Sequence, residues 1–130
     1  MLLLSRRRLL TDSARLGRWG EKRSERFLRN KGLKLLTRNY SCATGEIDLI
    51  MVDIDRTIVF VEVRTRAGED FASAESSITF PKKTRLTRTA RYFLATHKIH
   101  DRPFRFDVVI IILGQTGKPQ IRHYPNAFVP

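Results

Sequence analysis

Residues 45–64 read GEIDLIMVDIDRTIVFVEVR, and two acids stand inside segments that otherwise have the composition of buried β-strands. Asp48 and Glu62 each have branched aliphatic residues on both sides. Runs of Val, Ile and Phe are typical of a sheet interior. An ionised carboxylate in such surroundings is costly unless a cation meets it. The stretch therefore predicts a β-hairpin whose two acids need a charge partner.

The length of the hairpin loop decides whether the two acids share a face. A loop of three or five residues places Asp48 directly opposite Glu62, and a slip of two residues makes them diagonal neighbours. A loop of two or four residues would place them on opposite faces. With the odd loop, one face consists of Asp48, Ile50, Val52, Ile58, Phe60, Glu62 and Arg64, and the other of Ile47, Leu49, Met51, Val59, Val61 and Val63.

Two carboxylates that face each other at about 5 Å repel, and a shared proton or a metal ion normally resolves the conflict. Mg²⁺ suits such a pair because it takes one or two carboxylates and keeps its other positions for water and phosphate. Alternatively, Arg64 or Lys82 neutralises the pair in a salt-bridge network. The spacing alone leaves both interpretations open.

The rest of the chain predicts an α-β-β-β-α-β-β order in a single domain, residues 1–130. Asp12 or Ser13 caps a first helix that ends near residue 31, before Gly32. Pro81 suits the first turn of a second helix, which continues to about residue 97. Strands are predicted at residues 33–40, 47–52, 57–64, 105–113 and 120–124, with a polar loop at residues 65–77. Short connections favour antiparallel pairing of the first three strands.

Composition points to a polyanionic partner. The 130 residues include 25 Lys and Arg against 13 Asp and Glu, a formal net charge of +12. Nucleic acid is the commonest partner of such a protein, and an anionic membrane is the lesser option. A single cysteine suits a reducing cytoplasm, and no apolar stretch approaches the length of a membrane span. We expect a cytoplasmic protein with residues 1–12 as a flexible basic arm.

Several blocks together carry a resemblance to known proteins. They are GRWGE at residues 17–21, RNY at 38–40, GEIDLI at 45–50, FVEVRTR at 60–66, RFDVV at 105–109 and HYPNAF at 123–128, with Lys82, Leu86 and Ala90 between them. The chain resembles the bacterial YraN family, within the PD-(D/E)xK nuclease superfamily. This resemblance implies a restriction endonuclease-like αβββαβ core, with a mixed sheet flanked by helices, close in layout to Holliday junction resolvases.

The resemblance also implies roles for particular residues. Asp48 and Glu62 correspond to metal-binding acids, and Glu21 corresponds to an acid that resolvase-like members supply from the first helix. Arg64 replaces the lysine of the motif, and arginine can hold a phosphate but cannot serve as a general base. Lys82 lies in the first turn of the second helix and is a further phosphate ligand, or else a solvated surface lysine. Superfamily relatives often pair to cut two strands, which makes a homodimer an expectation.

The resulting hypothesis is a Mg²⁺- or Mn²⁺-dependent endonuclease that acts on nucleic acid, with DNA favoured over RNA. Its catalytic residues would be Asp48, Glu62, Arg64 and Lys82, and its metal ligands Asp48, Glu62 and Glu21. The nucleic-acid-binding side chains would be Arg18, Lys22, Arg26, Arg66, Lys83 and Arg85. Because Arg64 departs from the motif, the alternative is a non-catalytic nucleic-acid-binding protein with a degenerate site. A third hypothesis is an adaptor protein whose basic face binds an acidic protein.

Overall fold

A computed structural model describes residues 2–68 and 70–129 of the chain. The helices are α1 (Leu2–Thr11), α2 (Ser13–Asn30), α3 (Phe71–Ser76) and α4 (Phe80–Thr96). The strands are β1 (Lys34–Cys42), β2 (Gly45–Val52), β3 (Ile58–Ala67), β4 (Phe104–Leu113) and β5 (Gln120–Phe128). The predicted αβββαβ core is therefore present as α2-β1-β2-β3-α4-β4.

The five strands form one mixed sheet in the order β1-β2-β3-β4-β5. Strands β1, β2 and β3 pair antiparallel, as the short connections predicted, and β4 pairs with β5 antiparallel. Strand β4 pairs with β3 in parallel, because the chain crosses over through α4 before it returns to the sheet. Helices α2 and α4 pack against opposite faces, so the middle of the sheet is covered on both sides.

Helix α2 begins where the sequence predicted. The Asp12 carboxylate accepts hydrogen bonds from the backbone N–H groups of Ala14 and Arg15, which satisfies two donors that a helix start leaves free. The buried stripe of α2 consists of Leu16, Gly20, Ser24, Glu25 and Leu28. Glu25 stays charged in this position because two cations meet it: the Arg38 guanidinium donates to it at 2.6 and 3.0 Å, and Arg29 lies 3.1 Å away. The hydrogen bond from Arg38 holds the pKa of Glu25 below its usual range.

Helix α4 buries the residues that the sequence assigned to its inner face, Leu86, Ala90, Phe93 and Leu94. They pack on Ile50, Ile58 and Phe60 of the hairpin. On the other face of the sheet, Leu28 of α2 packs on a cluster formed by Leu33, Leu49, Met51, Val59, Val61, Val63, Val109 and Ile111. Both faces of the hairpin are thus apolar and covered, which confirms the prediction from the strand sequences.

Two segments differ from the sequence prediction. Residues 2–11, expected to be part of a flexible arm, form helix α1, and the Arg6 guanidinium donates to the carbonyl oxygens of Gly114 and Gly117 at 2.8 and 2.6 Å. Met1 lies outside the described residues, and the flexibility of the arm stays a prediction. Residues 65–77, expected to be a loop, contain the end of β3 and helix α3, which buries Phe71 and Ala74.

Asp107 is fully buried on β4, and its carboxylate contacts Arg105, His123 and Asn126. Its carboxylate accepts from Arg105 Nε at 2.9 Å and from the backbone N–H of Asn126 at 2.9 Å, and it lies 2.8 Å from His123 Nε2. Burial alone would raise the pKa of Asp107, but the bonds from His123 and Arg105 hold it below the usual range. Lys31 Nζ, at the end of α2, lies 2.9 Å from the other ring nitrogen of His123.

Gly20 permits the closest approach of α2 to the sheet, and this predicts a specific sensitivity to mutation. A Cβ atom at Gly20 would lie 1.8 Å from Thr65 Oγ1, whereas a Cβ at Gly17 would meet nothing within 4 Å. Gly20→Ala should therefore destabilise the protein by roughly 1–3 kcal/mol, as overpacking does. Gly17→Ala, the matched control, should stabilise it by up to about 1 kcal/mol through helix propensity. Urea unfolding followed by circular dichroism measures both, and equal effects of the two substitutions would contradict this account.

Candidate active site

Strands β2 and β3 bring the two acids together through the five residues that separate Val52 from Ile58. Leu49 pairs with Val61, and Ile50 pairs with Phe60. Asp48 and Glu62 are the next residue of each strand beyond this register, and both line one cleft. The protein therefore has a hairpin loop with an odd number of residues, which is the length that lets the two acids share a face.

The backbone hydrogen-bond pattern between β2 and β3 changes at Asp48, and the sequence did not predict this. Asp48 Oδ2 accepts the backbone N–H of Val63 at 2.8 Å, so a side chain takes a donor that lies on the neighbouring strand. Ile47 then packs in the cluster beneath α4 together with Ile50, although strict alternation would send it to the opposite face. The predicted face of Ile47 was wrong, because alternation assumes an uninterrupted strand.

The two carboxylates share a cleft of about 310 Å³ at the end of this hairpin. Arg64 follows on β3, and Lys82 and Arg85 reach the cleft from the start of α4. The complete lining is Gly45, Glu46, Asp48, Glu62, Val63, Arg64, Lys82, Arg85 and Leu86. Gly45 has φ +147°, a value that favours glycine, and it turns the chain into β2 at the cleft wall. The structure thus brings together all four residues that the sequence analysis assigned to catalysis.

Arg64 is the direct counter-ion of Glu62. Arg64 Nη2 lies 2.9 Å from Glu62 Oε2, and the two side chains are only 16% and 14% exposed. The salt-bridge interpretation of the pair is therefore realised for Glu62. Arg64 Nε is buried and has no hydrogen-bond partner within the described part of the chain. A buried donor without a partner is unusual.

Burial and mutual repulsion make the acid pair hold protons unusually tightly. Burial, followed by the charge of Asp48, raises the pKa of Glu62 to about 8, although Arg64 and Lys82 oppose the shift. Burial also raises the pKa of Asp48, against the lowering effect of the Val63 N–H. Near neutral pH, additional positive charge would favour the form in which both groups are ionised.

Glu21 lies in a neighbouring cleft rather than in the acid cleft. That neighbouring cleft, about 160 Å³ in volume, is lined by Arg18, Glu21, Lys22, Glu25, Arg38, Asn39 and Leu49. Burial and the charges of Asp48 and Glu46 raise the pKa of Glu21, so the acids of the two clefts interact through their charges. Among the described residues, no group of three or more His, Cys, Asp or Glu side chains lies in an arrangement that could hold a metal ion.

The other predicted nucleic-acid-binding side chains are distributed around these clefts. Arg18 and Lys22 line the cleft of Glu21, and Arg85 lines the acid cleft. Arg26 is exposed on α2, and Arg66 is exposed near the end of β3. Lys83 points away from the acids into a separate cleft of about 430 Å³, where its ammonium lies 5.6 Å from the centre of the Phe128 ring.

The sequence analysis missed Glu46 as a member of the site. Glu46 lies at the rim of the acid cleft, where its charge raises the pKa values of Asp48 and Glu21. Its place beside Gly45 in the GEIDLI block was the available signal. Strand alternation would not have identified it, because Glu46 is exposed and precedes the part of β2 that pairs with β3.

The fold and the site define a mixed α/β protein of nuclease-like layout, with paired acids at the end of a central hairpin. The model of the "Uncharacterised protein family UPF0102" matches residues 20–111. The chain is 47% identical over 119 residues to a UPF0102 protein of Nitrosomonas europaea, covering 92% of this chain and 98% of that protein. It is 41% identical over 114 residues to a UPF0102 protein of Pelotomaculum thermopropionicum, covering 87% and 94%. The chain belongs to the UPF0102 family, and the YraN-type resemblance is confirmed.

None of the described helices combines the length and the apolar character that a membrane crossing requires.

The raised pKa of Glu62 predicts a pH-dependent stability. Glu62 ordinarily titrates near 4.5, and in the folded protein its pKa is about 8. The folded state therefore binds the extra proton, and stability falls as the pH rises from about 4.5 to about 8. In EDTA, Glu62→Gln should match the wild type near pH 4 and exceed it by on the order of a few kcal/mol at pH 8.

Urea unfolding across this pH range measures the difference between the two proteins. Glu75→Gln, which removes an exposed acid from α3, is the matched control and should show no such divergence. A Glu62→Gln curve parallel to that of the wild type at every pH would contradict the assignment.

Proposed function

We propose that this protein is a Mg²⁺- or Mn²⁺-dependent endonuclease that hydrolyses phosphodiester bonds of DNA. The observation that carries the proposal is the opposed pair Asp48 and Glu62 in a cleft that three cations also line. Neighbouring carboxylates whose pKa values are raised by burial are suited to a divalent ion, which would replace the proton that Glu62 holds. The donor set is all oxygen, as Mg²⁺ prefers.

Asp48 and Glu62 would hold the metal, with Glu21 as an indirect contributor through its charge. A bound divalent ion would supply Lewis-acid stabilisation of the phosphate and a nucleophile that is active near neutral pH. Asp48 is already oriented, because the Val63 N–H fixes one of its oxygens and leaves the other for a ligand. Glu62 is oriented by Arg64 in the same way.

Arg64 and Lys82 would bind the scissile phosphate. Arg64 lines the acid cleft, and a guanidinium whose Nη2 contacts Glu62 still has other N–H donors that suit a phosphate oxygen. Arg85 adds a third positive charge at the cleft. Because arginine does not lose its proton near neutral pH, Arg64 stabilises charge and takes no part in proton transfer.

A cleavage assay tests the proposal on branched, duplex and single-stranded DNA and on RNA, with Mg²⁺, Mn²⁺ or EDTA. Wild-type protein should cut at least one DNA substrate only with a divalent ion. Asp48→Asn, which can still accept the Val63 N–H, should lose roughly a hundredfold or more of the rate. Asp55→Asn, an acid in the β2–β3 loop outside the cleft, is the matched control and should cut like the wild type. Equal cutting by wild type and Asp48→Asn on every substrate would refute the catalytic assignment.

A second candidate is a nucleic-acid-binding protein without turnover. The contact between Arg64 and Glu62 favours it, because the guanidinium already occupies one of the two acids. Such a protein would bind DNA equally in EDTA and in Mg²⁺, with an affinity that falls steeply with salt, and would cut nothing. The same set of substrates, measured for binding by fluorescence anisotropy, separates the two candidates.

A further inference from the structure

A second feature of the surface is a groove between α1 and α2, separate from the acid cleft. It has a volume of about 400 Å³ and is lined by Arg8, Leu9, Arg15, Arg18, Trp19 and Lys22. We call it the α1–α2 groove. Its volume lies within the range of about 300–1,000 Å³ that is usual for small-ligand sites, so it has room for a nucleotide-sized group.

The charge of the α1–α2 groove is strongly positive. Four of its six lining residues are cations, and none is an acid. Arg15 Nε lies 3.2 Å from Asp12 Oδ2, with both side chains about half exposed. Among the described residues, Arg8, Arg18 and Lys22 form no ion pair. A polyanion is the partner that this arrangement fits.

Trp19 gives the groove a flat aromatic surface held in a fixed position. Its indole packs against the core cluster on the α2 side of the sheet, and the Arg23 guanidinium lies 5.4 Å from the ring centre. Proteins that bind single strands combine a basic groove with aromatic side chains on which unpaired bases stack. In a duplex the bases stack on one another and are not available to an indole. The combination therefore favours a single strand.

The α1–α2 groove also leads toward the acid cleft. Arg18 and Lys22 line both this groove and the adjoining cleft that holds Glu21. The Glu21 carboxylate in turn feels the charges of Asp48 and Glu46 at the acid cleft. One face of α2 thus extends from the acids of the two clefts to the Trp19 indole.

We propose that the α1–α2 groove binds a single-stranded segment of nucleic acid, with a base stacked on Trp19 and phosphates on Arg8, Arg18 and Lys22. This rests on the proposed nuclease function and narrows its substrate to DNA with a single-stranded arm beside the cut. An anionic membrane would meet the same charges. However, a lipid surface engages apolar side chains that protrude, whereas this indole is partly buried and lines a concavity.

The experiment uses Trp19 as its own probe, because it is the only tryptophan in the chain. Full-length protein in EDTA is titrated with single-stranded oligo(dT), with a blunt duplex and with anionic phosphatidylglycerol vesicles. Stacking predicts that oligo(dT) quenches the indole fluorescence, and that the duplex does so much less at equal nucleotide concentration. A blue shift with vesicles and no quenching by oligo(dT) would overturn the proposal in favour of a lipid surface.

Substitutions then test whether the indole contributes to affinity. Trp19→Leu keeps apolar bulk against the core but removes the aromatic face, and it should weaken binding of labelled oligo(dT) about fivefold or more. Trp19→Phe should restore most of the loss. Tyr92→Leu, an exposed aromatic on α4 that is 53% accessible and lines none of the clefts described above, is the matched control and should bind like the wild type. Thermal unfolding checks that each variant is folded.

Wild-type affinity in a folded Trp19→Leu protein would overturn the proposal, as would the absence of quenching. Every arm is run in EDTA, so the result does not depend on cleavage. A protein that cuts DNA but shows no effect at Trp19 would therefore reject the groove alone. Quenching by a protein that cuts nothing would reject the nuclease function and retain the groove as a binding site.

Discussion

The arrangement of Asp48 opposite Glu62 is the constraint on which the site depends. Both acids lie in strands whose Ile, Leu, Met and Phe residues are buried, so their charges have little solvent to stabilise them. The protein offsets this cost with the Val63 N–H on one acid and the Arg64 guanidinium on the other. Burial, and after it the charge of Asp48, still raises the pKa of Glu62, which keeps a proton where a cation could sit.

The two helices that cover the sheet also determine what surrounds the acids. Helix α4 delivers Lys82 and Arg85 because its first turn overhangs the end of the hairpin, while Leu86 anchors it in the core. On the opposite face, α2 can lie close to β3 only because residue 20 is a glycine. That approach carries the cations of α2 to the same end of the sheet. Core packing and the placement of positive charge are therefore consequences of the same contacts.

Much of this arrangement was predictable from sequence, and the exceptions have physical causes. Strand alternation and the odd loop gave the pairing of Asp48 with Glu62, because register follows from the loop length. The position of Ile47 was not predictable, since a side chain that replaces a ladder bond is invisible to periodicity. Helix α3 has only six residues and was hidden in a polar segment. Arg38 is 13 residues from Glu25 and on another element, so no local pattern joins them.

Arginine at position 64 need not conflict with a functional phosphate site. A guanidinium offers five N–H donors in a rigid plane, whereas a lysine ammonium is a single centre of charge. Here Nη2 faces Glu62 at 2.9 Å, and Nε, a different nitrogen of the same plane, is buried without a partner among the described residues. Under the proposed function, the contact with Glu62 uses one donor of the guanidinium and leaves others for a phosphate.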